Sequence, residues 1–234
     1  MTEKLFLADA YLQQAEGTVT AHSAEGIVLD QSIFYPTGGG QMGDQGRFGA
    51  LEIATTVKGE EGAIVLVPTE GQALPEIGST HMQVLDWDNR HRMMRLHTAL
   101  HLLSVVIPLP VTGGQIRAAK ARLDFAMPDP LADKQEVEDQ LNALIAADHA
   151  VREQWISEAE LDAKPGLVKT MSVQPPRGAG RIRLVRIGGA AQIDLQPCGG
   201  THVRSTGEIG PIRLGKMEKK GRINRRLNVF LADG

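Results

Sequence analysis

The side chains best suited to hold a metal in this chain are seven histidines and one cysteine, and four of them pair by spacing. His97 and His101 lie four apart in "HTALH", and Cys198 and His202 lie four apart in "CGGTH". On a helix, residues i and i+4 share a side, so both imidazoles of the first pair project the same way. That spacing suits a tetrahedral ion with metal–nitrogen distances of about 2 Å. The second pair flanks Gly199 and Gly200 after an apolar run, so it belongs on a turn. Either pair alone has a plain reading: two histidines serving as satisfied core groups, and a cysteine acting as a small buried hydrophobe. Together they make a one-Cys, three-His set of the N/S type that zinc favours. His22, His81, His91 and His149 have no partner at ligand spacing and are expected at the surface.

Four protein ligands describe a closed, structural zinc site, whereas hydrolysis needs a position for water or substrate. Either one donor binds weakly or not at all, or the ion expands to five ligands. The sequence leaves both open. A helical zinc protease would carry a glutamate between its histidines as general base. Thr98 stands there instead.

A second unusual stretch is "FYPTGGGQMGDQG", residues 34–46. Pro36 presets a turn and three successive glycines remove Cβ bulk, so backbone amides can approach a ligand closely. No Gly-Lys-Ser/Thr follows, which excludes a P-loop, and no helix pattern follows, which excludes a dinucleotide fingerprint. An elaborate hairpin is the other reading.

These residues need elements to position them. The first 85 residues read as all-β: "GIVLD", "LEIATTV" and "AIVLVP" are short apolar pieces between Gly and Pro turns. From residue 86 the pattern becomes helical, with Leu96, Ala99, Leu100 and Leu103 on a 3.6 period until Pro108 and Pro110 stop it. "GGQIRAAKARLDFAMP" is partly extended. A further helix is expected in "DPLADKQEVEDQLNALIAADHA", where Val137, Leu141, Leu144 and Ile145 share a face. "VREQWIS" reads as a strand and "SEAE" at 157–160 as a capping box opening a short helix. "RIRLVRI", "AQIDLQ", "GPIRLGKME" and "RRLNVFLA" read as strands. Segregated strands and helices argue α+β over a βαβ winding.

Aromatic residues make up only 4% of the chain, so the core must be aliphatic. The single cysteine allows no internal disulfide, and no run nears the length of a membrane span. No signal peptide is evident, and a soluble cytoplasmic protein is expected. The net charge of −3 hides an asymmetry: up to Leu85, eleven carboxylates face Lys4, Arg47 and Lys58. From Arg177 to Arg226, twelve Lys or Arg face Asp194, Glu208 and Glu218. A basic stretch on an acidic chain suggests a polyanionic partner, or solvated strand faces.

"FYPTGGGQMGDQG", "RLHTALHLL", "QIRAAKARLDF", "DLQPCGGTHV" and "GPIRLGKMEKKGRINRRL" occur in that order. Together they resemble the editing portion of alanyl-tRNA synthetase and its freestanding relatives, the alanyl-tRNA editing proteins (AlaX type). The resemblance runs from about Phe6 to Phe230, and "CGGTH" after an upstream His-x₃-His is specific to this group and the related threonyl-tRNA synthetase editing domain. It implies a small N-terminal β-barrel over 1–85 carrying the glycine-rich loop. An α+β editing domain over 86–234 would then hold Zn²⁺ between His97, His101, Cys198 and His202.

The implied activity is hydrolysis of the ester joining a wrong amino acid, mainly serine, to tRNA(Ala). With no ATP-binding motif, the chain is expected to deacylate mischarged tRNA(Ala) and not to charge it. The alternative is a tRNA-binding module with a structural zinc and no turnover. Alanine is smaller than serine, so discrimination must require the serine hydroxyl, as sites that leave a buried polar group unpaired can do. Thr37 in the loop is the candidate for that contact, and Gln115 matches a pocket position of the family. Leu100 departs from the synthetase's usual "HTATH", which makes the loop threonine more necessary. Lys219, Lys220, Arg222, Arg225 and Arg226 are the candidate phosphate contacts. Oligomeric state is not legible.

Overall fold

Strand Leu51–Lys58 shows how the first part of the chain folds: Leu51 and Ile53 turn inward while Glu52 turns to solvent, the period-two alternation of a half-buried strand. The computed structural model describes residues 1–170 and 180–233, so Arg177, first of the basic residues counted above, lies outside them. The chain divides into two compact units, Met1–Arg92 and Met93–Gly234.

In the first unit six antiparallel strands close into a barrel. Their order is Gln14–His22, Ile27–Leu29, Ile64–Pro68, Leu51–Lys58, Gly46–Phe48 and Thr80–Leu85, which pairs back with Gln14–His22. Closure leaves no free sheet edge. Inside are Ile27, Leu29, Phe34, Phe48, Ile64 and Leu66, none more than 1% exposed. The all-β reading of this part holds, and the barrel that the family resemblance implied is present.

The glycine-rich loop is a stitched hairpin. Gly38 and Gln41 exchange two backbone hydrogen bonds of 3.0 Å. Between them Gly39 (φ 58°) and Gly40 (φ 87°) both take positive φ, as a two-residue type I′ turn demands. Gly43 is needed for another reason: a Cβ there would lie 2.0 Å from the carbonyl oxygen of Thr56.

The loop's far end is tied to a buried ion pair. Arg90 is fully buried and Asp44 is 1% exposed. Arg90 Nε donates to both Asp44 oxygens (3.0 and 2.9 Å), Nη1 to Ala10 O (2.9 Å), and Nη2 to Ile33 O (2.6 Å) and to Asp44. The Tyr35 N–H donates to the same carboxylate at 2.5 Å.

In the second unit the named strands among the described residues pair antiparallel, with one isolated parallel bridge between Val111 and Thr170. One sheet runs Ile212–Leu214, Asn224–Leu231, Ala121–Ala126, Val111–Ile116, with Glu218–Lys219 also pairing Asn224–Leu231. The other runs Val151–Ser157, Arg181–Ile187, Asp194–Pro197. Helix Lys134–Ala146 is capped by Asp133, which accepts from the N–H groups of Gln135 and Glu136. It buries Val137, Leu141 and Ile145, with Leu144 half-buried. Helix Glu158–Asp162 is opened by the Ser157–Glu160 capping box. The architecture is α+β.

Helix Trp87–Val106 ends just before Pro108. From Met93 to Ser104 every residue except Arg95 is buried, so this is a core helix rather than an amphipathic one. No helix among the described residues is long and apolar enough to cross a membrane.

Removing one partner of a buried pair leaves the other charge stranded. Arg90→Met should therefore cost about 3–5 kcal/mol of stability. Urea unfolding followed by tryptophan fluorescence measures it, and a loss below about 1 kcal/mol would show that the pair does not hold the loop.

Candidate metal centre

His97 and His101 stand one turn apart on the Trp87–Val106 helix, and Cys198 and His202 sit on the turn that follows strand Asp194–Pro197. The four donor atoms lie within 4.8 Å of one another. Cys198 Sγ is 3.5 Å from His97 Nε2 and 3.2 Å from His202 Nε2. For tetrahedral zinc, with Zn–S about 2.3 Å and Zn–N about 2.0 Å, the S···N edge is about 3.5 Å. The donor spacing and chemistry therefore fit such an ion. The three histidines are each 6% exposed, while Cys198 is half-buried.

Two hydrogen-bond devices aim the imidazoles. The Thr98 hydroxyl donates to Met94 O (2.9 Å), so its single proton is used within the helix. Its oxygen can then only accept, from His202 Nδ1 (3.1 Å) and from the Val203 N–H (3.3 Å). His202 must carry its proton on Nδ1, which leaves the Nε2 lone pair facing the cluster. His101 is set the same way by a carboxylate: Nδ1 lies 3.0 Å from Asp194 Oδ2. Asp194 is 2% exposed and is itself held by Lys169 Nζ (2.6 Å) and Gln196 Nε2 (2.7 Å). Such partners fix the tautomer and raise the basicity of a ligating histidine.

The turn is fixed by Arg183, 7% exposed on strand Arg181–Ile187. Its Nη1 donates to Cys198 O (2.8 Å) and Gly200 O (2.9 Å), and its Nη2 pairs with Glu153. The Gly200 N–H reaches Cys198 Sγ at 3.4 Å.

The electrostatics are those of a cation-binding cluster. Burial opposes ionisation of the Cys198 thiol, but His97 and His202 with hydrogen bonds from His101 and His202 bring it well below its usual range. Burial also works against the Asp194 carboxylate, and His101 and Lys169 nonetheless hold it below the ordinary carboxylate range. Burial disfavours charge on His101, but Asp194 and Cys198 outweigh it and raise its pKa to about 9. His202 is pushed well below the usual value by burial and by His97. A thiolate with an adjacent buried carboxylate attracts a proton, and attracts a divalent cation in its place.

The other expected residues stand on several different elements. Thr37 is exposed on the hairpin loop; its hydroxyl donates to Thr56 O (3.2 Å) and accepts from the Gly43 N–H (2.8 Å). Gln115 is half-buried on Val111–Ile116, opposite Arg122. Leu100 is 3% exposed in the core. Lys219, Lys220 and Arg222 are exposed, with Lys220 paired to Glu218 at 2.7 Å. Arg225 is buried and donates to Pro128 O (2.7 Å), and Arg226 shares Asp124 with Arg122. His22 is exposed as expected, but His81, His91 and His149 are half-buried. His91 stacks on Trp87, a contact that spacing to other ligands does not reveal. Thr98, Asp194, Lys169 and Arg183 were not marked as functional by sequence. Thr98 stands out in sequence only as a missing glutamate, Asp194 lies in "DLQPCGGTHV" with no role assigned to it, and Lys169 and Arg183 carry no motif.

The family model described as "Threonyl and Alanyl tRNA synthetase second additional domain" matches residues 182–228, which include Cys198 and His202. The chain is 33% identical to the alanyl-tRNA editing protein AlaX-M of Methanosarcina acetivorans, over 100% of both chains. It is also 33% identical to AlaX-M of Pyrococcus horikoshii, over 99% of this chain and 98% of that one. The chain belongs to the alanyl-tRNA editing protein family. An alanine–tRNA ligase from Pyrobaculum neutrophilum is 35% identical over 93% of this chain, which spans 25% of that enzyme. In this editing-family member the cluster draws on two segments about a hundred residues apart, one inside the matched domain and one well upstream of it.

Asp194→Asn and Thr98→Val should each weaken metal affinity by about 10–100-fold with the four donors intact. Competition against a chromophoric chelator measures it. Unchanged affinity in both variants would mean that the histidines orient themselves.

Proposed function

We propose that this protein is a trans-editing deacylase that hydrolyses the aminoacyl ester of mischarged tRNA(Ala), chiefly Ser-tRNA(Ala), at a zinc site formed by His97, His101, Cys198 and His202. The observation that carries the reading is the convergence of these four donors in a chain similar along its whole length to alanyl-tRNA editing proteins. A bound zinc ion supplies positive charge that polarises a carbonyl, orients an amine or acidifies water. The protein's part is to hold three imidazoles and a thiolate in one protonation state and to keep the histidine side of the cluster dry. Cys198 is the least buried donor, which supports approach of the substrate over the Cys198–Gly200 turn. An aminoacyl ester is already activated, so a positioned water and help for the tetrahedral oxyanion suffice.

Serine selectivity is assigned to Thr37, with Gln115 as a second candidate residue. With its proton donated to Thr56 O and one lone pair taken by Gly43, Thr37 keeps one lone pair. It can therefore accept from the serine hydroxyl, a contact that alanine lacks. Lys219 and Arg222, exposed and without an ion pair among the described residues, are the favoured phosphate contacts of the basic set. Lys220, Arg225 and Arg226 have protein partners that tRNA would have to displace. Four protein donors also suit a structural ion in a tRNA-binding module without turnover, and the same assay separates the two.

The assay is release of labelled amino acid from Ser-, Gly-, Thr- and Ala-tRNA(Ala). Serine should be released and alanine spared, and chelator should abolish turnover with recovery on adding zinc. Equal loss of serine and alanine would remove the selectivity assignment, and tRNA binding without release would favour the binding module. Thr37→Val should lower kcat/KM for the seryl substrate by about tenfold or more, the worth of one hydrogen bond, while Thr37→Ser stays near wild type.

A further inference from the structure

We propose that the backbone N–H of Gly199 is a catalytic donor that receives the oxyanion of the tetrahedral intermediate, and that Arg183 is the positioning residue that aims it. The inference rests on the deacylase reading above. It starts from where the carbonyls of the metal-binding turn point. Those of Cys198 and Gly200 both accept from Arg183 Nη1, inside the protein. The guanidinium is set by these two carbonyls and by Glu153 at the expense of its own Nε, which is buried without a partner. Across a trans peptide the carbonyl and the following N–H point in opposite directions. With the Cys198 carbonyl drawn inward, the Gly199 N–H is turned outward.

Its surroundings suit a ligand. Gly199 is exposed, and its N–H donates to no group among the described residues. A Cβ built there would find nothing within 4 Å, so the space in front of the turn is open. The next amide is already used: the Gly200 N–H reaches Cys198 Sγ. One fixed, unspent donor therefore stands directly after the thiolate donor, at the least buried part of the cluster. Unpaired loop amides are common at surfaces, but this one is held by a buried arginine and so needs no reorganisation when charge develops.

In the step assigned to it, a water oxygen bonds to the ester carbonyl carbon and the carbonyl π pair moves onto its oxygen. That oxyanion accepts from the Gly199 N–H. Collapse restores the carbonyl and breaks the carbon–ribose oxygen bond. One proton of the water ends on the ribose oxygen, and the other is released as the amino acid leaves as carboxylate.

The test replaces one atom group. Gly199→glycolic acid, introduced by semisynthesis, changes the N–H to an ester oxygen and keeps the carbonyl and the shape. With full metal content it should lower kcat on Ser-tRNA(Ala) about 100–1000-fold, with KM unmoved. Arg183→Lys keeps the charge but cannot bridge both carbonyls; assayed at saturating zinc, it should lower kcat without changing KM. Wild-type kcat in the ester variant would overturn the proposal. Loss of metal from it would also overturn it, since the N–H would then be structural. A wild-type protein that releases no serine counts against the deacylase reading instead, and the comparison is then made on whichever aminoacyl ester it does hydrolyse.

Discussion

Three imidazole lone pairs and a thiolate are crowded within 4.8 Å in a buried setting. Left to themselves, groups with that much electron density in one place repel and seek water. They are held together because each is gripped from behind. Thr98 holds His202, Asp194 holds His101, and Arg183 with the Gly200 N–H holds Cys198. The strain of convergence is relieved by positive charge at the centre, whether a proton on His101 or a divalent ion.

That constraint explains why so much of the second unit is committed to a few atoms. The Trp87–Val106 helix is buried on every side around His97 and His101, which fixes both rings to a single register. The three-stranded sheet supplies Arg183 from one strand and Asp194 and Gln196 from its neighbour, and the turn that follows delivers Cys198 and His202. The network from Lys169 through Asp194 to His101 links a third segment to the same centre. In the first unit the glycine-rich hairpin is fixed just as firmly, by Asp44 and Arg90 and by its type I′ turn.

Much of this was legible from local pattern. Short apolar pieces between Gly and Pro turns marked the barrel strands, Ser157 and Glu160 marked a helix start to the residue, and Pro108 marked a helix end. The donor quartet was legible because both pairs have ligand spacing. The roles of Asp194, Lys169 and Arg183 were not, because they act through contacts between segments distant in sequence, and even Asp194, inside "DLQPCGGTHV", carries no sign of which histidine it will face. Charge counting is blind to such pairings for the same reason: Asp124 stands opposite Arg226 across the antiparallel pair. The half-buried His91 likewise depends on Trp87 one turn before it, an aromatic contact outside any ligand pattern.

Everything rests on whether the two distant pairs grip one ion. Zinc K-edge X-ray absorption of the zinc-loaded protein reads that shell directly. One sulfur at about 2.3 Å with imidazole nitrogens at about 2.0 Å is expected, the multiple-scattering pattern giving three rings. A shell of nitrogen and oxygen with no sulfur, unchanged by Cys198→Ala, would show that the thiolate turn and the helix do not share the ion.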